Sequence, residues 1–311
     1  MNVFIKKVLI IAAVFILKNN TAFAQQNIEG RFNLNNVTRE YMLHLPTDYS
    51  ASKQLPLVMI FHGGGGNAKQ MQRYMKMDAI ADRESFITVY PQGINKQWND
   101  GREFKASISE NDDVQFISQL LDSLKLYYAV DMKKVFATGI SNGGFFSIYL
   151  SYKLSDRFLA VAPVCASIPQ RIDDEFRPAV PVSFLLINGT KDPLVPYNGG
   201  EVGNKLTGNR GGCTSTEKTI KKYLAIDGIT SAAVTENIPD ENKTDNCTAV
   251  KYTYRNESNG TNVTLIKIIN GGHALPGGSQ YLPKIIIGKV CKDFDANEII
   301  WEFFKDRPLR L

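Results

Sequence analysis

The first residues able to do chemistry are Gly139-Ile140-Ser141-Asn142-Gly143, a serine with a glycine two positions to either side. The run 134–138 before it reads as a strand, and 145–153 after it is compatible with a helix. A serine on such a strand-to-helix turn is held in a strained conformation that lifts its hydroxyl above the sheet. The helix N-terminus behind it favours developing negative charge. A hydroxyl attacks only when a base takes its proton, and histidine is the usual base. The chain has three histidines, His44, His62 and His273. His44 lies inside the strand-like run 38–45, as a packed side chain would. His62 opens His62-Gly63-Gly64-Gly65-Gly66 directly after the run 57–61, where bare backbone N–H groups could approach an anion. That position suits loop ordering better than proton transfer. His273 follows the run 263–269, at the strand end where open α/β sheets place their sites, and is the expected base.

A catalytic imidazole needs an acid to fix its tautomer. In the chain order serine, acid, histidine, the acid lies between 141 and 273 and follows another strand. Asn188-Gly189-Thr190-Lys191-Asp192-Pro193 follows the run 181–187, and Asp192 is its carboxylate, although Asp-Pro also makes plain turns. Asp227, Asp240, Glu241 and Asp245 have no comparable setting. No metal or organic cofactor is required by this chemistry.

Elements that would position these residues alternate along the chain. Short apolar runs at 57–61, 86–90, 134–138, 159–164, 181–187 and 263–269 suit strands covered on both faces. Helical spacing appears between them, most clearly where Asp112 or Asp113 caps Val114, Phe116, Ile117, Leu120, Leu121 and Leu124, and again at 295–306. Alternation of this kind predicts an α/β fold with a mostly parallel central sheet flanked by helices. Residues 195–251, rich in Gly, Asn, Thr and Asp with one helix at 216–227, read as an insertion at the sheet edge of a single domain, 25–311.

Composition is ordinary for a globular chain of 311 residues, 43% hydrophobic and 22% charged, which excludes collagen-like, disordered and coiled-coil classes. Lys6 and Lys7 precede the apolar run 8–17, and Ala22-Phe23-Ala24 supplies a cleavage pattern, so residues 1–24 are expected to be an export signal. That run is short of the roughly 20 residues that cross a bilayer. A secreted or periplasmic protein beginning near Gln25, with no membrane attachment, follows. Removing Lys6, Lys7 and Lys18 with no acid lowers the net charge from +5 to +2, too little to argue for nucleic acid. Four cysteines (Cys165, Cys213, Cys247, Cys291) allow three two-bridge connectivities. Cys213 with Cys247 is the favoured staple, since the two flank one loop-rich stretch, and Cys165 fits a buried small hydrophobe.

Several motifs together carry a resemblance. His62-Gly63-Gly64-Gly65-Gly66, Tyr90-Pro91-Gln92-Gly93 with Trp98-Asn99, and Asp112-Asp113-Val114 belong to it. So do Gly139 to Gly144, the run from Asn188 to Gly200 and Gly271-Gly272-His273. From about residue 35 to about 305 the chain is similar to the secreted polyhydroxybutyrate-depolymerase, feruloyl-esterase and acetylxylan-esterase group of α/β-hydrolases. The resemblance implies Ser141 as nucleophile, Asp192 as acid and His273 as base, with an oxyanion hole from the N–H groups of Asn142 and Gly64. It implies esters, first of feruloyl or acetyl groups on plant polysaccharide, then of polyhydroxyalkanoate or short-chain acids. A serine peptidase and a non-catalytic polysaccharide-binding protein are the other classes weighed. Leu275 stands where the group usually has a tryptophan, and Trp98 could supply a substitute surface, a core or rim indole being its other reading; both are candidate substrate-binding residues. Oligomeric state is not legible.

Overall fold

The computed structural model describes residues 26–103, 112–205 and 207–309. In chain order the strands are β1 (Gln26–Leu34), β2 (Val37–Leu45), β3 (Leu55–Phe61), β4 (Ile87–Pro91), β5 (Val130–Ile140), β6 (Ala160–Val164), β7 (Ser183–Gly189), β8 (Gly200–Asn204), β9 (Gly208–Cys213), β10 (Val234–Ile238), β11 (Thr248–Arg255) and β12 (Asn262–Ile269). The helices are α1 (Ala68–Met75), α2 (Met77–Glu84), α3 (Asp113–Tyr127), α4 (Asn142–Lys153), α5 (Thr216–Ile226), α6 (Lys284–Ile287) and α7 (Ala296–Lys305). The expected signal at 1–24 lies outside the described residues. Among those described, no helix is long and apolar enough to cross a membrane.

Ten strands form one sheet in the order β1-β2-β4-β3-β5-β6-β7-β12-β11-β10. Pairing from β4 through β12 is parallel, while β1, β2, β11 and β10 add antiparallel edges. Because strand side chains alternate between faces, the sheet carries two separate cores. Leu57, Met59 and Phe61 pack on one face with α3, α4 and α5; Val58 and Ile60 pack on the other with α1, α2 and α7. Near-continuous apolar runs in β3 to β7 follow from that two-sided cover. The stretch 195–251 divides: β8 and β9 make a separate two-stranded hairpin, whereas β10 and β11 continue the main sheet beyond β12.

The two cores also correct the disulfide expectation. Cys213 lies in the core with α3 to α5, Cys247 in the core on the opposite face, and all four thiols are free. A bridge needs Cα atoms within about 7 Å, and here the sheet stands between the pair.

Candidate active site

β5 ends at Ile140, and Ser141 turns the chain into α4 with φ 57° and ψ −123°. A non-glycine residue in that region is strained, and backbone bonds fix it from both sides. The Ser141 N–H donates to the Val164 oxygen at 2.9 Å, and the Phe145 N–H donates to the Ser141 oxygen at 2.8 Å. The flanking glycines are required by close approach: a Cβ on Gly143 would stand 2.1 Å from the Phe61 oxygen, and one on Gly139 2.6 Å from the Gly143 oxygen. The turn thus packs directly on the end of β3.

Two loops bring an acid to a base on this same edge. Asp192 follows β7 and His273 follows β12, two strands paired in parallel. The Lys191 N–H donates to the Gly271 oxygen at 2.9 Å and joins the loops through main chain. Asp192 Oδ2 accepts from His273 Nδ1 at 2.7 Å, with both side chains buried. The other oxygen, Oδ1, accepts from the Leu194 and Val195 N–H groups, each at 2.8 Å, so the carboxylate cannot rotate freely. With Nδ1 so engaged, His273 keeps Nε2 for another partner. Behind the pair, Cys165 has its thiol pushed up well above the usual range by burial, with the Asp192 charge adding to it.

Ser141 and His273 border one cavity of about 630 Å³, shared with the His62–Gly66 loop. Gly64 lies on its wall, and Asn142 is the first residue of α4, so its N–H is one of the helix's free donors. The Asn142 side chain faces away and orders the neighbouring loop. It accepts from the Trp98 N–H at 2.8 Å and donates to the Trp98 oxygen at 3.0 Å and to Asp100 Oδ2 at 2.6 Å. Asp113, buried like its partner Arg39 at 2.6 Å, also accepts from the Asn99 N–H at 2.7 Å and anchors that loop further. Asp112 caps α3, its Oδ1 accepting from the Gln115 N–H at 2.8 Å.

The other two histidines are structural, as the sequence suggests. His44 is buried in β2 with Nε2 3.1 Å from Asp82 Oδ1. His62 Nε2 accepts from the Gly93 N–H at 3.0 Å, which puts the ring proton on Nδ1, donated to its neighbour Gly63 O at 2.8 Å. Burial lowers its pKa to about 4 against a smaller upward pull from that Gly63 bond.

Both residues expected to wall the substrate are elsewhere. Trp98 is 0% exposed, stacked on Phe146 at 4.9 Å and edge-on to Phe61 at 5.4 Å. Its indole Nε1–H donates to the His62 oxygen at 3.0 Å. Those contacts satisfy the ring's apolar area and its one donor together. Leu275 is also 0% exposed, in the core with α1, α2 and α7. Its N–H donates to the Tyr74 hydroxyl at 3.1 Å, because the chain turns inward two residues after His273. The aromatic wall is instead Tyr74 and Tyr281, edge to face at 5.5 Å, and the Tyr281 hydroxyl donates to the His273 oxygen at 3.1 Å. Burial pushes the Tyr74 hydroxyl up to about 12, so it stays protonated. Met71, Leu282 and Ile286 add apolar lining, and Arg210 on β9 adds a guanidinium. Neither tyrosine sits in a spacing that marks it.

Two groups of metal-ligand type occur among the described residues: Cys165 with Asp192 and His273, and Asp245 with Cys291 and Asp293. The second is already knit by internal bonds. Its four carboxylate oxygens accept from the N–H groups of Cys247, Lys292 and Asn242 and from the Cys291 thiol.

Comparison with known proteins places the fold and the family. A family model described as putative esterase matches residues 34–192. A putative esterase, NocK, of Nocardia uniformis subsp. tsuyamanensis is 30% identical over 273 residues, covering 86% of this chain and 79% of that one. Feruloyl esterase B of Piromyces equi is 28% identical over 78% of this chain, which spans only 44% of that longer protein. Among solved structures, an acetyl xylan esterase from Aspergillus awamori superimposes with a TM-score of 0.57 at 13% identity, covering 81% of this chain and 94% of that one. The shared sheet, the family match and the Nocardia relative together mean that this chain belongs to the esterase family and is a carboxylic ester hydrolase of the α/β-hydrolase fold.

Proposed function

We propose that this protein is a serine esterase in which Ser141 is the nucleophile, His273 the general base and Asp192 the residue that orients and stabilises the imidazolium. The observation that carries the reading is the 2.7 Å bond between buried Asp192 and His273, on the cavity that Ser141 also borders. Ser141 Oγ attacks the ester carbonyl while His273 Nε2 takes its proton. The N–H groups of Asn142 and Gly64 receive the oxyanion, each donor contributing about 3 kcal/mol to the barrier reduction. His273 then protonates the departing alcohol, leaving an acyl-enzyme that water hydrolyses by the same route. No step draws on a metal or organic cofactor.

The substrate class we infer is a feruloyl or acetyl ester on plant polysaccharide. Relatives named feruloyl esterase support it, as does the Tyr74–Tyr281 pair, which offers a face and an edge to an aromatic acyl group. A polyhydroxyalkanoate is the second reading, favoured by exposed Leu282 on the cavity wall and by Ile285 on nearby α6, which is 87% exposed. Export is part of the proposal, supported by the basic, apolar and small-residue order of 1–24, with 25–311 as one catalytic domain. The test is turnover of methyl ferulate, acetylated xylan, p-nitrophenyl acetate and butyrate, and polyhydroxybutyrate film by the wild type and by Ser141→Ala. Hydrolysis by the wild type and none by the variant is expected. Comparable hydrolysis by both would overturn the assignment.

A further inference from the structure

We propose that Arg210 is a specificity-determining residue that receives a carboxylate carried by the ester substrate; this rests on the serine-esterase reading above. Arg210 projects from β9 onto the cavity bordered by Ser141 and also onto a smaller adjoining crevice, which Ser141 and Thr207 share. Its Nη1 stands 3.4 Å from the point that a Cβ on Gly64 would occupy, so the guanidinium lies over the glycine loop beside the reacting centre.

What Arg210 lacks is a counter-charge. Its Nε donates weakly to the Thr207 oxygen at 3.4 Å, and no carboxylate among the described residues pairs with it. Among the described residues the cavity lining contains no Asp or Glu, and Arg210 is its one Arg or Lys. Two other arginines near the site are arranged differently. Arg102 is held by Asp100 at 2.6 Å and Arg39 by Asp113 at 2.6 Å. Among the described residues, then, these two loop-ordering arginines are neutralised by carboxylates and Arg210 on the cavity wall is not.

A guanidinium presents a planar fork that matches a carboxylate with two parallel hydrogen bonds. Partly buried beside an apolar wall, such a fork rewards a ligand that brings the missing charge and discriminates against one that does not. Two sources of that carboxylate fit. It is borne by the acyl group, as in a half-ester of a dicarboxylic acid, or by the alcohol, as in an ester on or beside a uronic acid.

The experiment measures kcat/KM on two matched pairs. The acyl pair is p-nitrophenyl hydrogen succinate against p-nitrophenyl butyrate, and the alcohol pair is an acetylated methyl glucuronoside against the acetylated methyl glucoside. In Arg210→Gln the charged-to-neutral ratio is expected to fall at least about tenfold in one pair, the affected pair naming the source, with partial recovery in Arg210→Lys. In the wild type the same ratio should fall as salt rises from about 0.05 to about 0.5 M. Thermal melts establish that both variants fold. A ratio that changes by less than about threefold in both pairs overturns the inference, because Arg210 would then serve every ester alike. If the wild type turns over no ester, neutral ones included, the serine-esterase reading falls and takes this inference with it.

Discussion

His62 and His273 occupy equivalent places: each is buried on a loop that follows a parallel strand, and each gives its carbonyl oxygen to an aromatic donor. Their ring partners differ. Backbone groups hold the His62 ring, Gly63 and Gly93 using both nitrogens, and burial keeps it neutral. The His273 ring has a carboxylate on one nitrogen, and its aromatic neighbour Tyr281 lines the cavity, while the Trp98 that serves His62 is sealed in the core. Burial alone therefore does not make a base. A carboxylate partner, with the second nitrogen left for the reaction, is what the proposed mechanism asks of one.

The sharpest way to break the comparison is to remove each ring, or its partner, by mutation. Ser141→Ala and His273→Ala should each lower kcat on p-nitrophenyl acetate at least about ten-thousandfold with melting temperature little changed. Asp192→Asn should lower kcat about 10³- to 10⁴-fold, since the amide would favour the wrong tautomer; a loss under about tenfold would mean that the acid is elsewhere. His62→Gln should act on stability instead, and its pH dependence tests the sign. The folded His62 has a pKa lowered to about 4 from 6.5, so the unfolded chain binds the proton first as pH falls. The contribution of the neutral ring to stability is then full above about pH 6.5 and is lost toward pH 4, by about 3 kcal/mol in all. Denaturant unfolding at pH 7 and at pH 4.5 should show the gap between wild type and His62→Gln narrowing in acid; a gap that widens would contradict the neutral, buried ring.

The aromatic partners give the smaller effects. Tyr281→Ala should raise KM for methyl ferulate about tenfold relative to p-nitrophenyl acetate, as an aromatic face is lost from the cavity. Trp98→Phe should cost about 1 kcal/mol of stability through the lost bond to the His62 oxygen, with KM unchanged. If the tryptophan variant shifts KM and the tyrosine variant does not, the reassignment of the aromatic wall is wrong.

What sequence makes legible here is whatever depends on order along a strand and the turn after it. β3, β4, β5, β6, β7 and β12 announce themselves as apolar runs, and Ser141, Asp192 and His273 each follow one of them. Three histidines in the whole chain narrow the search for a base further. Side-chain direction in loops has no such code. Trp98 and Leu275 point into opposite cores because of what folds against them from distant segments, Phe146 in one case and Tyr74 in the other. Tyr281 lies in 280–293, where the only helix is the four-residue α6 and no periodicity marks a face. The cysteines fail for a related reason, as loop spacing does not tell which side of a ten-stranded sheet a thiol occupies. The helices α1 and α2, each eight residues, and the edge strands β1, β10 and β11 also gave too short or too polar a pattern to stand out.

The link from Lys191 to Gly271 has a consequence for how such a molecule can diversify. In the proposed reading acid and base are tethered through main chain, and the crossing demands glycine, since a Cβ on Gly189 would stand 2.3 Å from the Gly271 oxygen. The rim is tied to these loops too: the Gly203 N–H on β8 donates to the Leu194 oxygen at 2.7 Å, and the Tyr281 hydroxyl to the His273 oxygen at 3.1 Å. A lineage that rewrites what the mouth accepts must therefore spare these few bonds and vary the side chains between them.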